Sequence, residues 1–264
     1  MYEFEYHRAG SVGEAADLLG KASDGRYLAG GMSLVPTMKL RLARLSDVVD
    51  LNGVDGLAGV ATEAGTVTVG AMARHEAVAD APAVREAIPA LAALAGGIGD
   101  PHVRHRGTLG GSICNNDPAA DYPAAVLGLG ATIHTDRREI AADDFFTGLF
   151  ETALEEGEIV TKVAFPAPDA ACYVKFPNPA SRFAIVGSFV SRKDGDVRVA
   201  ITGAGPCVFR VAEMEAALRS DFSADAVAGI KVSPDGLNSD IHGSAEYRAH
   251  LVTVLSKRAV AGCG

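Results

Sequence analysis

Pro166 and Pro168 divide this sequence into two textures, and neither a helix nor a central strand runs easily through them, because proline lacks the N–H that both ladders need. Ahead of them the apolar runs are short and are interrupted every few residues by glycine or proline. "SVGEAADLLGKA" opens with Ser11 and Glu14 at capping-box spacing and predicts a helix. Short strands are expected at residues 26–29 and 47–51 and in "GLAGV" and "TVTVGAMA". "APAVREAIPALAALAGGIG" reads as two helices broken at Pro89. "ATIHTD", "REIAA" and "GEIVTKVAFPAP" read as further strands. Behind the prolines the pattern changes to an antiparallel meander of "ACYVKF", "FAIVGSFVSR" and "VRVAITGAG", with Gly195 at a turn. Helices are expected in "FRVAEMEAALRS", in "SADAVAGI" and from Ser244 onward, where Tyr247, Leu251, Val254 and Leu255 share a face. The expectation is an α+β chain: one domain over 1–167, then a C-terminal domain over 168–264 made of a three-stranded antiparallel sheet packed by helices.

Composition excludes several classes of function. A chain that is 48% hydrophobic has ample material for a core, and its net charge of -9 argues against nucleic acid, which needs clustered Lys and Arg. No apolar stretch approaches the roughly 18 residues of a membrane span, and the N-terminus lacks a signal peptide's apolar run, so a cytoplasmic protein is expected. The four cysteines, Cys114, Cys172, Cys207 and Cys263, are scattered with no C-x-x-C spacing. They predict reduced thiols, with no metal or iron–sulfur site on this chain.

Two stretches stand out, "AGGMS" at 29–33 and "TLGGS" at 108–112, each setting paired glycines beside a hydroxyl. Glycine lacks the Cβ that would hold a phosphate away and reaches the dihedrals that turn successive N–H groups inward, as in an anion nest. Two such loops facing each other would hold a diphosphate from both sides. With 30 glycines in the chain, ordinary turns remain the competing reading. Neither stretch is G-x-G-x-x-G, and no strand–loop–helix frame is evident around either, so a Rossmann site is not expected. No Walker loop, G-x-S-x-G or H-E-x-x-H occurs.

Together, "AGGMSLVPTMKLRLA" and "IGDPHVRHRGTLGGSICNNDPAADYPAA" closely resemble the FAD-binding medium subunit of molybdenum hydroxylases, the family of carbon monoxide dehydrogenase and xanthine-dehydrogenase-like enzymes. The likeness spans nearly the whole chain. It implies a two-part FAD-binding domain of the vanillyl-alcohol-oxidase (PCMH) type, with subdomains meeting near 50–55, followed by the family's C-terminal domain. It implies that Ala29, Gly30, Gly31, Met32, Ser33, Leu34, Val35 and Pro36 wrap the FAD diphosphate from one side. Thr108, Leu109, Gly110, Gly111 and Ser112 would do so from the other, and Asn115 would hydrogen-bond on the flavin side. Asp121 would contact the flavin's sugar chain, Ile98 would line the cofactor, and Val160 would fall on the adenine side. Lys175 would contact the cofactor, and Phe183 would lie against the flavin ring. Met32 stands where a histidine or glutamine often occurs, so non-covalent FAD is expected. Without the resemblance, Asp121 suits a helix cap, Lys175 a solvated strand position, Phe183 a core position and Asn115 a turn.

The resemblance also implies partners. The flavin does the electron chemistry, and no acid–base residue of this chain need be catalytic. A large subunit would carry the molybdenum cofactor and a small one the [2Fe–2S] clusters, in a dimer of heterotrimers that reaches the inner face of the membrane only through the complex. Electrons would pass from the clusters through FAD to NAD, a quinone or oxygen. The alternatives are a stand-alone FAD-dependent oxidoreductase and a non-enzymatic dinucleotide-binding protein of the same fold. The basic stretch Arg104 to Arg106, with His102 and His105, is read as structural or as a docking face for the small subunit.

Overall fold

The computed structural model describes residues 1–263. Strand β1 (Glu5–Arg8) leads into helix α1 (Val12–Leu19). The Ser11 hydroxyl accepts from the Glu14 N–H, and the Glu14 carboxylate takes the Gly10 N–H, so the expected capping interaction forms. Strand β2 (Gly25–Leu28), helix α2 (Leu34–Lys39) and strand β3 (Asp47–Asp50) follow. The three strands make a parallel sheet in the order β1-β3-β2, with α1 and α2 as the crossovers that parallel neighbours require. The first glycine pair therefore does sit in a strand–loop–helix frame, contrary to expectation. Two things conceal it: β2 has only four residues, and Pro36 lies within the first turn of α2, where a missing N–H breaks no helical bond.

A second sheet is antiparallel. It begins with β4 (Val60–Glu63) and β5 (Thr66–Gly70). Six short helices intervene: α3 (His75–Asp80), α4 (Pro82–Ala87), α5 (Pro89–Gly96), α6 (Pro101–Arg106), α7 (Leu109–Asn115) and α8 (Tyr122–Gly128). The break at Pro89 is present, with Ile88 out of helical geometry at φ -142°. Next come β6 (Thr132–Thr135), β7 (Glu139–Ala141), a single turn α9 (Ala142–Phe145) and a small hairpin of β8 (Phe146–Gly148) and β9 (Glu151–Thr152). Strand β10 (Val160–Pro166) closes the sheet at its centre, in the order β4-β5-β10-β6-β7. Val67, Val69, Val163 and Phe165 project from it into a core shared with Leu91, Leu94, Tyr122 and Val126 of the helices.

Beyond the prolines, β11 (Ala170–Pro177), β12 (Ala184–Lys193) and β13 (Asp196–Thr202) form the expected meander, turning at Asp194 and Gly195, both at positive φ. A two-residue edge strand, β14 (Phe209–Arg210), adds a fourth member to the predicted three; it begins where a helix was expected, so helix α10 spans only Ala212–Ser220. "SADAVAGI" is a run of turns rather than a helix. Val227 is its only buried side chain, too little to stabilise a short helix by packing. The last helix, α11 (Ala245–Gly262), starts at Ser244, whose hydroxyl caps the Tyr247 N–H. Its buried face includes Leu251, Val252, Leu255 and Ala259, whereas Tyr247 is exposed and meets Phe176 edge-on. Arg248 takes the inward position instead, donating to the Gly203 carbonyl at 2.9 Å and to Asp240 at 2.7 Å. The C-terminal sheet has two buried faces: Val186 and Val190 join α10 and α11 in a second core, while Phe189 enters the first.

Candidate functional site

The first glycine pair turns the chain from the C-terminal end of β2 into α2. Gly31 lies at φ +73°, a region that L side chains avoid. Gly30 is needed for a different reason: a Cβ there would lie 2.1 Å from the Arg106 carbonyl oxygen and 2.8 Å from Gly107 Cα. The turn is fixed from outside by Asn52, whose amide donates to the Ala29 carbonyl at 2.9 Å, and from within by the Thr37 hydroxyl on the Ser33 carbonyl at 2.8 Å. The N–H groups of Gly30, Gly31, Met32, Ser33 and Leu34 have no acceptor among the described residues. Five successive free donors along one turn make a site for an anion.

The second glycine pair is built differently. Sequence reading makes it an open loop, but Thr108 N-caps α7, and both glycines lie in that helix's first turn. The segment is joined to residues 71–75: Gly107 O accepts from His75 N at 3.0 Å, Leu109 N donates to Ala73 O at 3.0 Å, and Gly110 N donates to Ala71 O at 2.8 Å. Gly111 N donates to the Thr108 hydroxyl at 3.1 Å and Ser112 N to the Thr108 carbonyl at 3.0 Å. No nest of free N–H groups exists there, and hydroxyls are what this side offers. Gly110 lets the helix touch the segment at Ala71, since a Cβ would meet Ala71 Cβ at 2.7 Å.

The two glycine segments share one cavity of about 850 Å³. It gathers Ala29, Gly30, Gly31, Met32, Ser33 and Leu34 from the first; Thr108, Gly110, Gly111, Ser112 and Asn115 from the second; and Ile98, Asp121, Val160 and Phe183 from elsewhere. Four expected residues do not line it. Val35 and Pro36 turn away along α2, Leu109 is fully buried in the first core, and Lys175 stands behind the wall. Lys175 donates to Asp121 Oδ1 at 2.9 Å, where the Tyr173 hydroxyl also donates at 2.6 Å. Asp121 therefore does not cap α8, and Lys175 is no solvated residue. Burial pushes the Asp121 carboxyl up, against the lowering pull of Lys175 and Tyr173. Its Oδ2 is buried without a partner among the described residues. Phe183 is 44% exposed at the cavity rim, which rules out the core reading.

Several wall residues escape the sequence reading. His75 lines the cavity from α3, buried against Tyr122 at a ring separation of 5.3 Å. Its pKa is held down to about 4, by burial first and by Arg104 second, so the imidazole is neutral. Phe150 reaches the cavity from the β8–β9 turn, which Asn116 pins by donating to the Gly148 and Glu151 carbonyls at 2.9 and 2.7 Å. Glu158 is locked by Arg138 and by the Thr135 hydroxyl, and the Arg138 bonds hold its carboxyl down to about 2. These residues are held in place by contacts with distant residues; the "NN" at 115–116 is the only local signal, a turn-forming pair whose second member stands at φ +42°.

Residues 2–168 match the family described as the FAD binding domain in molybdopterin dehydrogenase. The chain is 37% identical to the nicotine 6-hydroxylase medium subunit of Paenarthrobacter nicotinovorans, over 98% of this chain and 96% of that one. It is 36% identical to the carbon monoxide dehydrogenase medium chain of Hydrogenophaga pseudoflava, over 97% and 96%. The solved carbon monoxide dehydrogenase of Hydrogenophaga pseudoflava superposes with a TM-score of 0.88 at 34% identity, covering 99% of this chain and 97% of that one. The chain belongs to this family, as the FAD-binding medium subunit of a molybdenum-dependent dehydrogenase or hydroxylase.

The residues present fit FAD. The free N–H row at 30–34 suits a diphosphate, and the unpartnered Asp121 Oδ2 suits a hydroxyl donor. Among the described residues no cluster of His, Cys, Asp or Glu could hold a metal ion, the four cysteines are free and partly buried, and no helix is long and apolar enough to cross a membrane.

Proposed function

We propose that this chain is the electron-transferring FAD subunit of a molybdenum hydroxylase complex. The observation that carries the reading is the run of five free N–H groups on a turn that lines a cavity both glycine pairs share. In this reading the N–H groups of Gly30 to Leu34 bind the diphosphate, and the Thr108 and Ser112 hydroxyls face it from the other side. Asp121, set by Lys175 and Tyr173, orients the sugar chain through hydrogen bonds. Ile98, Val160 and Phe183 supply apolar and aromatic contacts, and Asn115 a polar one. Val35, Pro36 and Leu109 act through the backbone they fix. The chemistry FAD supplies is redox: electrons arrive from [2Fe–2S] clusters on a small subunit and leave to NAD, a quinone or oxygen. No side chain of this protein acts as catalytic acid or base; its residues bind, orient and exclude water.

The partners are a large molybdenum-cofactor subunit and the small iron–sulfur subunit, assembled as a dimer of heterotrimers in the cytoplasm. Within the chain, residues 1–167 are the FAD-binding domain, its subdomains meeting near 50–55, and residues 168–264 the C-terminal domain. Met32 offers no nucleophile for a covalent flavin link, so FAD is held non-covalently. The test is to purify the tagged chain from its own cells. Flavin absorbance, FAD released intact by acid, and two copurifying subunits are expected. A colourless protein that binds no added FAD overturns the reading, and a flavoprotein with no partners leaves a stand-alone oxidoreductase.

A further inference from the structure

We infer that Arg104 is a positioning residue of the FAD site: with Lys175 it clamps the backbone carbonyls of residues 97–99, so that Ile98 is presented to the cavity at a fixed place. The inference rests on the FAD reading and adds to it the part that holds this wall.

The chain leaves α5 at Gly97 and enters α6 at Pro101, so residues 97–100 must turn sharply. Gly99 takes φ +50°, and a Cβ there would lie 3.0 Å from the Val103 side chain. The three successive carbonyls of this turn accept from side-chain cations. Lys175 Nζ donates to the Gly97 carbonyl at 2.8 Å. Arg104 Nη1 donates to the Ile98 carbonyl at 2.9 Å and to the Gly99 carbonyl at 3.3 Å. The carboxylate of Asp100 completes the circuit by accepting the Val103 N–H at 3.0 Å. The turn is thus tied to α6 by Asp100 and Arg104, and to β11 by Lys175. Ile98, 6% exposed, is the side chain this turn contributes to the cavity.

Arg104 stands apart from the basic residues around it. His102 and Arg106 are exposed, and His105 pairs on the outside with Glu76 at 3.1 Å. Arg104 points inward, and its charge is felt at His75 in the cavity wall. Both bonds come from the single nitrogen Nη1, which the planar guanidinium holds in a fixed direction; a lysine would present a compact ammonium on a more flexible stem. In the sequence Arg104 and Arg106 belong to one basic stretch, open to a structural or a docking role; the structure separates them.

The experiment uses the complete chain stripped of flavin and titrated with FAD, comparing Arg104→Ala, Arg104→Lys and Arg106→Ala. Arg104→Ala is expected to weaken FAD binding roughly tenfold, the size of losing a charge-assisted hydrogen bond. It should also speed amide hydrogen exchange in the peptide covering residues 97–101 of the flavin-free protein. Arg104→Lys should recover part of both, and Arg106→Ala should change neither. Wild-type affinity together with wild-type exchange in Arg104→Ala overturns the inference, and so does an equal loss from Arg106→Ala. If the alanine variant fails to fold, Arg104→Gln, which keeps amide donors, carries the same comparison. A wild-type chain that binds no FAD while the exchange difference persists sinks the FAD reading and leaves the clamp standing.

Discussion

At the first glycine pair the N–H groups of Gly30 to Leu34 find no acceptor among the described residues, while at the second those of Leu109 to Ser112 are all taken up within the chain. The first segment is a cradle and the second a brace. Gly31 alone of the four glycines needs a positive φ; Gly30 and Gly110 are glycine because another backbone passes where a Cβ would be. The two are pressed together, since a Cβ on Gly111 would lie 3.5 Å from Ala29 Cβ. Paired glycines are therefore no measure of ligand contact in themselves. The state of their N–H groups separates a turn with donors to spare from a packing turn.

The largest effect is expected from Gly30→Ala. Its Cβ would meet the Arg106 carbonyl at 2.1 Å, and both sides of that clash are backbone, so the cradle and brace must separate. A loss of about 3 kcal/mol, at the upper end for overpacking, should appear in chemical denaturation together with lost FAD binding. Unchanged stability would mean that the two segments are not pressed together in solution. Gly110→Ala comes next, at about 1–3 kcal/mol, because Ala71 lies 2.7 Å away on a residue already buried. FAD affinity in that variant should fall no further than the stability does.

Gly31→Ala inverts that ratio. The φ of +73° costs an L residue about 1–2 kcal/mol, and relief of that strain rotates the free N–H groups. FAD affinity should fall more than stability, measured by titration and denaturation on the same preparation. A larger loss of affinity in Gly110→Ala than in Gly31→Ala would break the distinction between cradle and brace. The smallest change is Thr108→Ala, which removes the cap of α7 and should cost about 1 kcal/mol, with Thr108→Ser restoring it. Failure of serine to restore it would show that the threonine methyl, rather than the hydroxyl, matters.

Local signals in the sequence were reliable where one short stretch determines the outcome. Ser11 and Ser244 cap helices, Pro89 breaks one, and Gly195 turns a hairpin, because each acts on its immediate neighbours. Most of the cradle was legible for the same reason. Its frame was not, because a four-residue strand and a proline in a helix's first turn carry little periodic signal. The brace was misread because two glycines in a helical turn run against propensity, and tertiary stitching to residues 71–75 overrides that cost. His75, Phe150 and Glu158 reach the cavity only through contacts with residues 20 or more positions away: Gly107, Asn116, and Arg138 with Thr135. The role of Arg104 was hidden by its basic neighbours, which look the same in sequence and face the other way.

Phe189 of β12 has a consequence for how this protein can be cut. The family match ends at residue 168, yet that ring lies in the core of the preceding part, and a Cβ on Gly128 would meet it at 2.7 Å. Tyr173 and Lys175, the two donors that hold Asp121, also lie past the boundary. A fragment ending at 168 would contain nearly every residue of the cavity wall and still lack the plug for its core and the tether for its buried acid. The family's FAD-binding domain, as matched over residues 2–168, is thus shorter than the stretch that must be synthesised for the pocket to exist, and a minimal flavin-binding version of this protein has to extend at least through β12.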